Sequence, residues 1–216
     1  MVVETVHPKM LNHYKRFQHL KDKYNYSPEL ILDIGALDGR WTAAINKIFT
    51  RSKFIMIEPN KEMQPYLEKI GSEFHIKSLS DQIKICKYYK LPGHAGNSLY
   101  QEKGNITEVY EEIQTTTLNE LFDANKIFNL IKLDVQGSEL DILLGGQNFL
   151  INTDLILMEC SLIEYNIGAP SFYEQINFLK ENNFNFFDVV DLLYDKNEKL
   201  IQMDILFKNN NFSFKK

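Results

Sequence analysis

Five short apolar runs, separated by segments of helical spacing, constrain this chain more than any other feature. They are Leu30-Ile31-Leu32, Phe54-Ile55-Met56-Ile57, Phe74-His75-Ile76, Leu130-Ile131-Lys132-Leu133 and Leu155-Ile156-Leu157-Met158. They show little alternation of apolar with polar residues, so each reads as a strand buried on both faces, as in a parallel sheet covered by helices. Between them, Thr42 to Phe49 sets Ala43, Ala44, Ile45 and Ile48 at helical spacing. Met63 to Ile70 does the same with Met63, Tyr66, Leu67 and Ile70, and Leu140 to Leu150 with Leu140, Leu143, Leu144 and Phe149. The order β-α-β-α-β predicts right-handed crossovers and a doubly wound α/β sheet of Rossmann-like type. Phe172 to Leu179 reads as a further helix. Phe184 to Val190 and Ile201 to Phe207 then read as strands joined by the polar turn Asp195-Lys196-Asn197-Glu198, so the sheet is expected to end in an antiparallel hairpin.

At 216 residues, 44% of them hydrophobic, the chain suits one main domain. The expected organisation is an N-terminal helical extension over 1–27, the main domain over 28–208 and a polar tail over 209–216 that frays. The extension carries Leu11, Tyr14, Phe17 and Leu20 on one face, which would pack on the sheet or cover a cofactor cleft. The net charge of −5 argues against nucleic acid as a partner, because such binding rests on neutralising phosphates. Lys15, Arg16, Lys21 and Lys23 read as a solvated helix face. Cys86 and Cys160 form neither a redox pair nor a zinc motif. With no signal-peptide core and no run of about 18 apolar residues, a cytoplasmic chain without a membrane span is expected. A homo-oligomer is compatible with all of this.

The sharpest segment is Leu32-Asp33-Ile34-Gly35-Ala36-Leu37-Asp38-Gly39-Arg40-Trp41-Thr42, where a buried strand passes into a helix. Gly35 and Gly39 let the backbone turn tightly and approach a ligand. Asp33 is placed to face a cation, such as the ammonium or sulfonium of S-adenosylmethionine. Glu58, about 20 residues on in Ile57-Glu58-Pro59-Asn60, stands where an acid at the end of the second strand meets ribose hydroxyls. A dinucleotide fingerprint needs G-x-G-x-x-G to admit a pyrophosphate; here Leu37 stands at the second glycine and the third is missing, which favours a donor without phosphates.

These residues resemble the FkbM-type methyltransferases in order and spacing. The resemblance is carried by Leu32-Asp33-Ile34-Gly35-Ala36, Ile57-Glu58-Pro59-Asn60, Asn97-Ser98-Leu99, Thr117-Leu118-Asn119-Glu120-Leu121 and Lys132-Leu133-Asp134-Val135-Gln136-Gly137-Ser138-Glu139. Leu143-Leu144-Gly145-Gly146 and Leu157-Met158-Glu159 continue it over roughly 28 to 207. It implies a class I methyltransferase fold, with a seven-stranded, mostly parallel sheet whose last strand is antiparallel. It also implies S-adenosylmethionine as donor, with Gly35, Ala36, Glu58 and Pro59 among the cofactor contacts, and a hydroxyl on a sugar or polyketide as acceptor. The chain departs from the family at Leu37-Asp38, where an Asn often follows Gly-Ala, and at Gly93-His94-Ala95-Gly96.

For the chemistry, Asp134 at the end of the fourth run is the candidate base. A carboxylate after Leu133 is costly without a partner, and Lys132 is a candidate for that role. Glu139 reads either as a catalytic acid or as a helix-start stabiliser beside a Ser138 cap. Glu159, ending the fifth run, could converge on Asp134 to hold a divalent cation such as magnesium. His94, between glycines, is a candidate mobile base. Ser80 and Asp81 are candidate adenine contacts by position, and Trp41 reads as a packing residue. Two other functions compete. A NAD-dependent oxidoreductase would share Glu58, but no Tyr-x-x-x-Lys pair appears; against a non-catalytic cofactor-binding protein that kept the fold but lost the acceptor pocket speak the intact Asp33, Glu58 and Asp134.

Overall fold

The computed structural model describes residues 6–104 and 109–214. In chain order the first half holds α1 (Leu11–Tyr24), β1 (Leu30–Ile34), α2 (Arg40–Asn46), β2 (Lys53–Ile57), α3 (Gln64–Ile70), β3 (Glu73–His75), β4 (Ser78–Leu79) and β5 (Ile85–Tyr89). The second half holds β6 (Tyr110–Thr116), α4 (Leu118–Leu121), β7 (Leu130–Leu133), α5 (Glu139–Leu144), α6 (Gln147–Leu150), β8 (Leu155–Ser161), α7 (Phe172–Glu181), β9 (Phe184–Tyr194) and β10 (Leu200–Asn209).

The main sheet has seven strands in the order β3-β2-β1-β7-β8-β10-β9. The pairs β2–β3, β1–β2, β1–β7 and β7–β8 are parallel, whereas β10 is antiparallel to both β8 and β9. This is the class I methyltransferase arrangement that the resemblance implies. The chain winds outward from β1 to β3 and then crosses back to lay β7 on the other side of β1. A crevice opens at such a reversal, beyond the carboxyl ends of the two central strands. A small sheet β4-β6-β5, which periodicity does not announce, flanks that end.

The sheet is buried on both faces, as the unbroken apolar runs require. On one face Leu32, Ile34, Ile131, Leu133, Ile156 and Met158 pack with Ile142, Leu143, Phe149 and Leu179 of the helices. On the other, Ile31, Leu130, Leu155 and Leu157 pack with Trp41 and Ile45 of α2 and with Tyr14, Phe17 and Leu20 of α1. The N-terminal helix is thus bound into the core, with Phe17 set edge-on to Trp41 at 5.8 Å, while Met10, just before it, and His13 in its first turn reach the crevice.

Two details differ from expectation. The helix predicted over 140–150 is split into α5 and α6 at Gly145-Gly146. A Cβ on Gly145 would fall on the carbonyl oxygen of Ser80, and one on Gly146 would meet Leu118, so close approach of the flanking backbone has overridden helical periodicity. The segment expected to fray is packed as far as residue 214. Phe212 and Phe214 stack around Tyr26, Phe214 also meets Tyr24, and Lys208 donates to the Phe212 carbonyl. Of the described helices, none is long and apolar enough to cross a membrane.

Candidate active site

A cleft of about 630 Å³ occupies the crevice. Its first half is lined by Gly35, Ala36 and Leu37 after β1, by Glu58 and Pro59 after β2, and by Lys77, Ser78 and Leu79 around β4. Its second half is lined by Asp134 and Gln136 after β7, Glu159 on β8, Asp204 on β10, Asp191 on β9 and His13 on α1.

Gly35 holds a left-handed φ of +74°, and a Cβ there would land on the Asp134 carbonyl, so only glycine lets the two loops touch across the switch point. Gly35 and Ala36 donate their N–H groups to the Ile57 carbonyl, at 2.9 and 3.1 Å. Glu58 is almost fully buried; Oε2 accepts from Leu37 N at 2.8 Å and Oε1 from Asn60 N at 2.9 Å. Burial pushes the Glu58 carboxyl up, against the lowering effect of those two N–H donors. Each oxygen accepts one of these bonds and has a second acceptor position, and the residue lines the cleft, a donor-acceptor match for a vicinal diol such as that of a ribose. Gly39 lies outside the lining: it starts α2 at φ +76° with its Cα against Ile70 and Leu67.

Asp33 has no exposed surface and does face a cation, but that cation belongs to the protein. Lys132 Nζ lies 3.1 Å from Asp33 Oδ1, donates to the Gly35 carbonyl at 2.8 Å and lies 3.5 Å from Asp134 Oδ2. Thr42 donates to the other Asp33 oxygen at 2.7 Å. Burial works against the Lys132 ammonium, but Asp33 and Asp134 outweigh it and hold its pKa above the usual lysine range. Asp33 therefore acts on the cleft through Lys132, which fixes both the glycine loop and Asp134.

Asp134 and Glu159 do come together. Between them lies the amide of Gln136, whose Nε2 donates to Asp134 Oδ1 at 3.1 Å and to Glu159 Oε2 at 2.5 Å. Burial first, and then Asp134 and Asp204, push the Glu159 carboxyl well above the usual range. Gln136 itself sits in the left-handed region at φ +58°, a costly position for a side-chain-bearing residue. Its carbonyl is held by Ser98 Oγ, donating at 2.7 Å, and by Asn166 Nδ2.

Glu139 is buried at the start of α5. Its carboxylate accepts from Val135 N at 3.0 Å and Gly137 N at 3.0 Å, so it holds the shape of the loop that carries Asp134 and Gln136. Ser138 does not cap that helix with its side chain. Burial pushes the Glu139 carboxyl up to about 7, against the pull of those N–H donors. The sign of the pH effect follows. From the ordinary value of 4.5 up to about 7, the unfolded chain loses this proton while the folded chain keeps it, so stability falls with rising pH and levels off above 7. The loss is about 3 kcal/mol at about 1.4 kcal/mol per pH unit. Thermal melts of Glu139→Gln should therefore show a clearly shallower decline between about pH 5 and about pH 8 than the unmodified protein. An equal decline would mean that the Glu139 proton is not involved.

The other predicted residues are placed as follows. His94, at φ +66°, lines the cleft on the Glu58 side, where it meets Asn60 Nδ2 at 3.2 Å and Glu62 at 3.5 Å. Ser80 and Asp81 do not line the cleft; Ser80 donates to Asp81, which pairs with Lys84 at 2.8 Å, and the residues before them, Lys77 to Leu79, form the wall. Trp41 packs as expected, but it also borders the cleft and donates its indole N–H to His13 Nδ1 at 3.2 Å. That bond puts the ring proton of neutral His13 on Nε2, which meets Asp204 Oδ2 at 2.8 Å. Among the described residues, His13, Asp191 and Asp204 are the trio of metal-ligating type whose atoms lie within 4.8 Å of one another. In this tautomer His13 presents that trio with a donor and not a lone pair.

Sequence reasoning passed over Lys132 as the partner of Asp33, gave Gln136 no role of its own within its motif, and passed over His13 and Asp204 altogether. The signals were present: a lysine inside a buried strand, an aspartate between Met203 and Ile205, and a histidine on the apolar side of α1. Each marks a polar group that must find a partner indoors.

The fold recurs in solved structures. An S-adenosylmethionine-dependent methyltransferase from Clostridium acetobutylicum ATCC 824 superposes with a TM-score of 0.53 at 11% identity, over 97% of this chain and 94% of that one. A Klebsiella pneumoniae protein, provisionally described as an O-methyltransferase, does so with a TM-score of 0.52 at 13% identity, over 92% of this chain and 80% of that one. No curated protein matches by sequence. The profile of the methyltransferase FkbM domain matches residues 33–186, from the buried aspartate of β1 into β9. The chain belongs to the FkbM methyltransferase family, and its fold is that of the S-adenosylmethionine-dependent methyltransferase from Clostridium acetobutylicum.

Proposed function

We propose that this chain transfers the methyl group to a hydroxyl oxygen of a small molecule such as a carbohydrate. The observation that carries this reading is the single cleft that runs from the Gly35 loop and Glu58 to Asp134. Glu58, with an acceptor position free on each oxygen, takes the ribose diol. The Gly35-Ala36 turn receives the methionine end. The donor supplies an electrophilic methyl group on a sulfonium, and the transfer is an in-line displacement in which positioning and exclusion of water do most of the work.

An alcohol is a weak nucleophile and gains from a base. Asp134 is the half-exposed carboxylate at the junction of the two halves, held by Gln136 and Lys132, so it orients the hydroxyl and accepts its proton. A divalent ion between Asp134 and Glu159 has less to support it, because Gln136 already spans the pair. The acidic second half of the cleft disfavours a phosphate-rich acceptor such as nucleic acid.

Calorimetry with S-adenosylhomocysteine, paired with transfer assays on hydroxylated compounds, tests the assignment. Glu58→Ala should weaken binding about 30-fold. Asp134→Asn should leave binding within about threefold while lowering transfer by about 10²-fold or more. The reverse order of effects would overturn the division of labour between the two carboxylates.

A further inference from the structure

Methyl transfer requires an acceptor to enter the second half of the cleft, and strand register sets the chemistry of its wall. Glu159 on β8 lies directly opposite Asp204 on β10, and Asp204 directly opposite Asp191 on β9. Asp134 follows the Leu133–Met158 pair by one residue, which stands it beside Glu159. Four carboxylates thus run across four adjacent strands, and all four line the cleft. Neighbouring strands are about 4.8 Å apart, so the carboxylates repel one another strongly where water is scarce.

Among the described residues the row meets Lys132, which it shares with Asp33, and His13, while Lys77 lines the other half of the cleft. Lys132 serves Asp33 and the Gly35 carbonyl as well as Asp134, Arg16 pairs with Asp188 at 2.6 Å, and Arg40 pairs with Asp38 at 2.6 Å. His13 meets Asp204, Asn12 donates to Asp191 at 2.8 Å, and Lys9 is exposed at the rim. Burial, and the repulsion of Asp134 and Asp191, push the Asp204 carboxyl up despite His13. Trp41 and Tyr165 bring aromatic rings to the same cleft, and aromatic faces also attract cations.

We propose that the acceptor carries an ammonium group, which Glu159, Asp204 and Asp191 take up, while a hydroxyl of the same molecule meets Asp134 and receives the methyl group. The inference rests on the hydroxyl reading above. Carboxylates around an amine favour its charged form, which has no lone pair for attack, so the amine is the anchor and the oxygen the nucleophile. The O–CH3 bond forms as the S–CH3 bond breaks, the hydroxyl proton passes to Asp134, and the donor leaves as a neutral thioether.

The test uses the protein loaded with S-adenosylhomocysteine and calorimetry against matched compounds. These are glucosamine, galactosamine and ethanolamine, their N-acetyl forms, and glucosamine 6-phosphate. At least one amine should bind about tenfold or more tightly than its N-acetyl form, and glucosamine 6-phosphate should bind more weakly than glucosamine. In Asp204→Asn and Asp191→Asn, which keep the shape and one acceptor oxygen, the preference should fall below about threefold with S-adenosylhomocysteine affinity unchanged. Equal or tighter binding of the acetylated or phosphorylated forms, a preference that survives both substitutions, or no binding by any amine at millimolar concentration would each overturn the proposal. Labelled methyl transfer separates it from the reading beneath. Methyl on oxygen with no preference for amines removes the cation anchor alone, whereas methyl on nitrogen with full preference for amines removes the hydroxyl reading and leaves the anchor.

Discussion

Lys132→Met is expected to destabilise the fold by about 3–5 kcal/mol, because it leaves the Asp33 carboxylate buried without its countercharge. Asp33 has no exposed surface, and Thr42 alone would remain as its donor. The Gly35 carbonyl would lose its donor at the same time, so the glycine loop that lines the cleft should loosen as well. Urea melts measure the cost. The double variant Asp33→Asn with Lys132→Met should be less destabilised than the sum of the singles, by about 1–3 kcal/mol, since the second change removes the orphaned charge. A single-variant loss below about 1 kcal/mol would show that the ion pair is not what holds β1 and β7 together at the cleft.

Gly35→Ala is expected to lower the affinity for S-adenosylhomocysteine by about hundredfold or more. Two costs combine at this position. A left-handed backbone is worth about 1–2 kcal/mol against any residue with a Cβ. The added methyl group would also fall on the Asp134 carbonyl, and the Val135 side chain lies 3.1 Å away, so the carboxyl ends of β1 and β7 must separate. Gly71 provides the control, having φ +76° and open space around its Cα. Gly71→Ala should carry the conformational cost alone, about 1–2 kcal/mol, and leave cofactor affinity within about threefold. Comparable loss of binding in both variants would mean that backbone strain, not contact across the switch point, decides the effect.

The buried strands and the glycine turn at the cleft were legible because they rest on local pattern, whereas the make-up of the seven-stranded sheet was implied by the family resemblance. Unbroken apolar runs identify buried parallel strands, and an acid at a fixed distance beyond a glycine turn marks the end of β2, where Glu58 lines the cleft. Partnership was less legible. Asp33 reads from sequence as a group awaiting a ligand, yet its cation comes from residue 132, brought alongside by the crossover that seats β7 next to β1. Asp204 and His13 are 191 residues apart and meet only because α1 packs over β9 and β10. The helix over 140–150 failed for a related reason: its glycine pair answers to Ser80 and Leu118, which no window around it contains.

The carbonyl of Gln136 joins three separate stretches of chain, through Ser98, Asn166 and its own loop. Loops that share a fastening cannot diverge one at a time. A graft that exchanges only one of them between family members would cost that carbonyl one of its two donors and loosen the hold on the strained residue. Re-targeting this enzyme to a new acceptor therefore calls for all three stretches to be replaced together, as one cassette.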